Sequence, residues 1–270
     1  MSEATPPLLP LLLTDQDTAA HVPNWRDDFT PFTLEHLLSV AFFVAFMLAA
    51  CWMGWRWRET PREARFRRTW GWAVLVFSTW YSGWYLMPEH FTWQRSLPLQ
   101  LCDLTSFIAG LAMVTRWRPA RTLLYFWGIG LSTQAFISPI IDTGPASARF
   151  WMFFVSHTTI VGSALYDVVV CGYRPGIKDL RFAVAAGVVY TASMFVVDIA
   201  LSRWVAEPIN YGFVGDTKPE NPTVMDKLGP WPWRVLILSA IVIAVFTMLW
   251  AVWPLAERLG LRRAREQAKS

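Results

Sequence analysis

The sequence predicts an all-α, polytopic membrane protein with seven transmembrane helices, and three observations carry that expectation. Hydrophobic residues make up 54% of the 270 positions and charged residues only 16%, where a soluble domain carries about 25% charged. The apolar residues fall in seven nearly uncharged runs, each close to the roughly 20 residues that cross about 30 Å of hydrocarbon. The basic residues collect in alternate connections between those runs. Outer-membrane barrels show alternating segments of about ten residues instead, and this chain has none.

The runs lie at 34–55, 70–86, 97–115, 122–141, 150–170, 182–201 and 235–253. Before them, residues 1–33 form a polar, proline-containing segment whose apolar patch 8–13 lacks a basic leader, so no secretory signal is expected. The seven-helix domain covers 34–257, and a basic tail follows at 258–270. Tryptophans such as Trp52, Trp55, Trp93, Trp117, Trp204 and Trp253 sit near run ends, as an interfacial belt requires. Gly110, Gly128 and Gly130 suit close helix packing, and Pro139 is a candidate kink in the fourth run. The longest connection, 202–234, is rich in aromatic residues and prolines, which argues for a folded cap or a partly re-entrant segment.

Orientation follows from the connections. Those after the first, third, fifth and seventh runs hold 17 of the 24 Lys and Arg residues. Positive charge stays on the cytoplasmic side, so the N-terminus is expected outside, the C-terminus in the cytoplasm and the protein in the cell (cytoplasmic) membrane. The same placement explains the net charge of +4 without a nucleic-acid partner. Three cysteines do not make a disulfide framework; Cys51 and Cys171 border the basic connections, whereas Cys102 lies at the opposite end.

Polar groups at membrane depth are the candidate site. At about 1.5 Å per helical residue, Cys102, Asp103, Gln134, His157 and Asp198 come to similar depths in the outer half of four different runs. Ionisable groups there are expensive and usually face protein or a cavity. Cys102 and Asp103 point about 100° apart on a helix, so both serve a site only if the third run is enclosed by protein or locally unwound near Pro98. Two chemistries suit a thiol and an imidazole in such a place: nucleophilic acyl transfer, or metal binding with His36 or His90 as further ligands. No ligand spacing supports a metal, and neither metal nor cofactor is expected. A lone membrane cysteine is most often a packing residue, and an intramembrane histidine is as often a helix-to-helix hydrogen-bonding group as a functional one.

Several stretches carry a resemblance: Leu97-Pro98-Leu99-Gln100-Leu101-Cys102, Phe154-Val155-Ser156-His157, Tyr173-Arg174-Pro175 and Leu228-Gly229-Pro230-Trp231-Pro232-Trp233. In these the chain resembles the YwaF-like bacterial integral membrane proteins, from the first run through the seventh. That family commonly has histidine where Gln100 stands. It is related to a eukaryotic transmembrane acyltransferase that remodels ether phospholipids with a cysteine–histidine pair. The resemblance implies Cys102 as nucleophile and His157 as base, with membrane lipids as partners.

The function expected is a lipid acyltransferase or acyl-ester hydrolase built on Cys102 and His157 in an outer-leaflet pocket. Asp103 and Asp198 are candidates to orient the imidazole, and Gln134 and Asn210 to steady the oxyanion. The alternative is a small-solute carrier or receptor-like binder, for which no inverted repeat is evident.

Overall fold

Local sequence sets where each helix begins and ends in the computed structural model, which describes residues 26–141, 143–217, 224–258 and 260. The expected 258–270 tail, most of the 1–33 segment and part of the 202–234 connection lie outside the described residues. Helix α1 (Leu34–Arg56) opens on Thr33, whose hydroxyl accepts from the His36 backbone N–H at 3.4 Å. Helix α2 (Pro61–Leu86) opens on a proline in its first turn. It therefore begins nine residues earlier than the apolar run, because four arginines and a glutamate extend it away from the hydrocarbon.

Helix α3 (Leu101–Thr115) starts four residues later than the run, since Pro98 cannot donate to a helical turn and Leu97–Leu99 instead forms a tight turn with a 2.7 Å bond. The expected fourth span is not one continuous helix. It comprises α4 (Arg118–Leu123), a π-helical stretch Leu124–Ile129, a turn, and α5 (Gln134–Ile137). The break falls at 131–133, well before Pro139. There the Trp127 carbonyl accepts from both the Leu131 N–H (3.1 Å) and the Ser132 N–H (2.9 Å), a widened turn of the kind that interrupts regular α-helix. Helices α6 (Ala148–Val169), α7 (Ile177–Val205) and α8 (Arg234–Arg258) match their runs, with α7 longer at both ends.

All the regular structure among the described residues is helical. Among the described residues four helices are long and apolar enough to cross a bilayer: α1, α6, α7 and α8; α3 is apolar but only 15 residues long. Large apolar side chains such as Leu37 and Phe42 on α1, Val189 and Val196 on α7, and Leu236 and Met248 on α8 point away from the protein. Patches of this extent are unfavourable in water and are the surface lipid covers. This is a membrane-embedded protein.

Helix α3 is packed on several sides. It packs against α2, α4, the π stretch and α6, and Thr105, Ser106, Ala109, Gly110, Ala112 and Met113 are buried along it. The approach to α2 depends on glycine: a β-carbon on Gly110 would lie 2.6 Å from Leu75 Cγ and 2.9 Å from the Gly71 carbonyl. Different faces of α3 meet different neighbours. Ser106 Oγ shares a short hydrogen bond with Ser78 Oγ of α2, while Cys102 packs against the cluster formed with Leu124 and Ile160.

The 206–233 connection is a folded cap in its described part. Ile209, Tyr211 and Val214 are buried, the Tyr211 hydroxyl donates to the Trp93 carbonyl at 2.7 Å, and the Trp231 indole donates to the Val214 carbonyl at 3.0 Å. Arg234, at the start of α8, pairs with Asp226 and donates to the Gly215 carbonyl at 2.7 Å.

Candidate functional site

Two cavities lie at the end of the bundle opposite the arginine-rich connections. The larger, of about 420 Å³, is enclosed by α3, the π stretch, α7, α8 and the cap residues Gly212–Val214. Its walls are mostly hydrocarbon and aromatic: Leu101, Trp127, Leu131, Val184, Val188, Leu238, Val242 and Phe246. Cys102, Gln100, Gln134, Tyr190, Thr191 and Ser239 are its few polar contributors. That size and character are those of a small-molecule or single-chain site.

Cys102 stands in this wall because α3 begins at Leu101, which puts the thiol in the first helical turn. Its Sγ lies 3.8 Å from Ser132 Oγ. The Ser132 hydroxyl donates its one proton to the Trp127 carbonyl at 3.2 Å, so in this pair the thiol S–H is the donor. The widened π turn that breaks the fourth run is thus what brings Ser132 against the thiol. Nothing in the periodicity of the run marks Ser132; the cluster Ser132-Thr133-Gln134 inside an apolar stretch was the available signal.

His157 lies in the third turn of α6, buried, and lines neither cavity. A carbonyl can only accept, so the 2.7 Å contact between Nδ1 and the Phe153 carbonyl places the ring proton on Nδ1. Nε2 then carries the lone pair, with no hydrogen-bond partner among the described residues. The orienting acceptor is a backbone carbonyl and not Asp103 or Asp198. His36 is different: Nδ1 accepts from the Phe32 N–H at 2.9 Å and Nε2 meets the Phe136 carbonyl at 3.0 Å, so both ring nitrogens are used. His90 stacks on Trp84, with ring centroids 4.5 Å apart.

The remaining candidates divide between the chamber and its cap. Gln134 lines the chamber at the first residue of α5. Asp103 faces the second cavity, as the 100° turn from Cys102 requires. Asp198, buried on α7, accepts the Tyr211 N–H on Oδ1 at 3.0 Å, while Oδ2 has no partner among the described residues. Asn210 Oδ1 accepts the Gly215 N–H at 2.9 Å within the cap. Asp198 and Asn210 therefore hold the cap that roofs the chamber. Gln100 does the same from α3, its Oε1 accepting the Gly212 N–H at 3.0 Å, and Gly212 reaches that position at a φ of 64°, which favours glycine. The structure thus brings Cys102 and Gln134 to one chamber, sets Asp103 in a separate pocket, and leaves Cys102 and His157 on different hydrogen-bond partners.

Residues 31–250, most of the chain, match the model of the TMEM164 family. No curated protein and no solved structure matches the chain.

Proposed function

We propose that this chain, which belongs to the TMEM164 family, handles fatty-acyl chains in the membrane and transfers them through Cys102. The observation that carries the reading is a thiol in the wall of a chamber of about 420 Å³ whose lining is otherwise largely hydrocarbon and aromatic. Such a space accepts an acyl chain by burial of apolar surface and presents its ester to the sulfur. The resemblance to the YwaF-like proteins and their acyltransferase relative supports the same assignment.

In this reading the chain crosses the cytoplasmic membrane seven times, with its N-terminus outside and its C-terminus inside, so the chamber opens to the outer leaflet. Helix α2, α3 and the interrupted α4–α5 segment make the three passes besides α1, α6, α7 and α8. The distribution of 17 of 24 basic residues to one set of connections supports that sidedness.

The chemistry requires the thiol to leave Ser132 by rotation about χ1 and meet Nε2 of His157. Catalytic hydrogen bonds are commonly long or absent before substrate binds. Nε2 takes the S–H proton, and the thiolate attacks the ester carbonyl. The C–O bond breaks, and the departing alkoxide takes the proton back from the imidazolium. The acyl group, now a thioester on Cys102, passes to an acceptor hydroxyl or to water, which restores the thiol. In this reading Gln134, which lines the same chamber, donates to the oxyanion.

A second reading has one observation in its favour: the separate partners of Cys102 and His157 suit a binder in which neither reacts. A thiol-reactive lipid probe with a long acyl chain separates the two. Labelling at Cys102 is expected in the wild type, absent in Cys102→Ser and at least tenfold slower in His157→Ala. Equal labelling rates in the wild type and His157→Ala leave only a lipid binder.

A further inference from the structure

The two ends of the large chamber are built differently. Its upper end lies under the cap, where Gln100 holds Gly212 and Cys102 stands in the first turn of α3. Its lower end lies at Trp127, Val184 and Phe246. Beneath it Phe126, Leu180 and Ala183 are buried in one cluster with Trp127 and Phe246, and the Phe126 and Phe246 rings lie 5.2 Å apart. That packing leaves the chamber blind at its lower end. On α8 the lining runs from Leu238 to Phe246, a depth of about 12 Å at 1.5 Å per residue. This is most of the roughly 15 Å of hydrocarbon in one leaflet, through which a lipid chain extends.

Two glycines line the chamber close to its floor, and they differ. A β-carbon on Gly130, just after the π stretch, would lie 3.0 Å from Leu249 Cδ1 and 3.4 Å from Val245 Cγ1, so this glycine lets the fourth run pack against α8. A β-carbon on Gly187 of α7 would meet only Phe246 Cε2, at 3.9 Å. Glycine within a helix is unfavourable relative to alanine, and no close approach of a neighbour demands it at Gly187. What the missing side chain leaves there is chamber volume.

We infer that the chamber takes a straight acyl chain end first, with its carbonyl at Cys102 and its methyl end at Gly187, and that Gly187 opposite Phe246 sets how long a chain is admitted. The inference rests on the acyl-binding reading of the chamber, and it makes Gly187 a specificity residue with no part in the thiol chemistry. Volume added at Gly187 raises the floor. It displaces the end of a long chain and leaves a short one in place. Thr191 lines the chamber about one turn nearer the cap, and volume added there meets chains of every length.

Native mass spectrometry of the full-length protein in detergent, titrated in turn with octanoic, lauric and palmitic acids, tests it. Detergent takes up a given acid equally whichever variant is present, so the ratio of variant to wild-type affinity reports on the chamber. Gly187→Leu is expected to weaken palmitic acid about tenfold and octanoic acid by no more than about twofold, with lauric acid between them. Gly187→Ala follows the same order with a smaller effect, and Thr191→Leu weakens all three acids alike. The retained octanoic acid affinity reports that Gly187→Leu is folded. Adding Phe246→Leu to Gly187→Leu lowers the floor again and restores part of the palmitic acid affinity. Weakening of octanoic and palmitic acids by the same factor in Gly187→Leu, or of neither, overturns the placement of the methyl end. Binding of the acids by the wild type with no change of length preference at Gly187 overturns this inference alone, whereas a wild type that binds none of them overturns the acyl-binding reading with it. The same length order in Cys102→Ser keeps the result apart from the thiol chemistry.

Discussion

The two ends of the helix bundle pair their buried acidic groups to different degrees. At the arginine-rich end, Arg118 grips Asp179 through two bonds of 3.0 and 2.6 Å, and Thr122 adds a third to the same carboxylate. Arg121 holds Asp167 at 2.8 Å, Arg67 holds Glu63 at 3.1 Å, and the Tyr173 hydroxyl meets Thr122 at 2.8 Å. Each named carboxylate has a cation, and the bonds from Arg118 and Arg121 tie α4 to α7 and α6. At the other end Asp103 has no ion pair, Asp198 Oδ2 has no partner and His157 Nε2 keeps its lone pair, all among the described residues. Buried polar groups are ordinarily satisfied, and the unpaired groups of the second end are where the proposed ligand would find partners.

Breaking the cohesive end should have the largest effect. Arg121→Ala leaves Asp167, a buried carboxylate, without its cation, and removing one partner of a buried pair costs about 3 kcal/mol. Thermal unfolding in detergent checks it; a loss below about 1 kcal/mol would mean that the pair is solvated and that the two ends are alike.

The cap should be the weaker structure. Asp198→Ala strands the buried Tyr211 N–H, at a cost of about 1–2 kcal/mol, with part returned because the orphaned Oδ2 goes too. Limited proteolysis should then cut the 206–233 connection faster while the rest of the bundle stays intact. Unchanged cutting would remove Asp198 from the cap's support.

The smallest effect is alkaline. Burial, with Asp167 and Glu63 adding to it, pushes the Cys171 thiol up to about 12, and burial pushes Tyr173 up to about 12. The unfolded chain releases these protons near the ordinary values, about 8.5 and 10. Between those values and 12 the folded state holds more protons than the unfolded one, so stability falls as pH rises. A loss of about 0.7 kcal/mol from pH 8 to pH 9 is expected, and Cys171→Ala should flatten the slope. Stability that rises over that interval would contradict the burial of both groups.

Much of the helical layout was legible in the sequence, because long apolar runs have few other solutions in a membrane. The ends of α1 and α6 follow the runs closely. The start of α2 did not, since hydropathy is blind to a helix that continues as a charged extension. The break at 131–133 was hidden as well: it depends on one carbonyl, that of Trp127, accepting two N–H groups, and no spacing of apolar residues encodes that. In the site, depth grouped Cys102, Asp103, Gln134, His157 and Asp198, of which Cys102 and Gln134 line the larger cavity, and the 100° offset turns Asp103 toward the other one. The acceptor for His157 proved to be its own helix four residues back, a local choice that a search for carboxylates overlooks. Arg95 and Arg149 read as loop charges in the sequence, and only the fold sets them in a pocket with Asp103.

The central claim is that Cys102 carries an acyl group during turnover. Intact-mass measurement of the full-length protein, after brief exposure to an ester lipid with an isotopically labelled chain and acid quenching, tests it directly. The account predicts a mass increase equal to one labelled acyl group, located at Cys102, removed by neutral hydroxylamine and absent in Cys102→Ser. A chain that is bound but never attached, or an adduct that persists when Cys102 is serine, would contradict it.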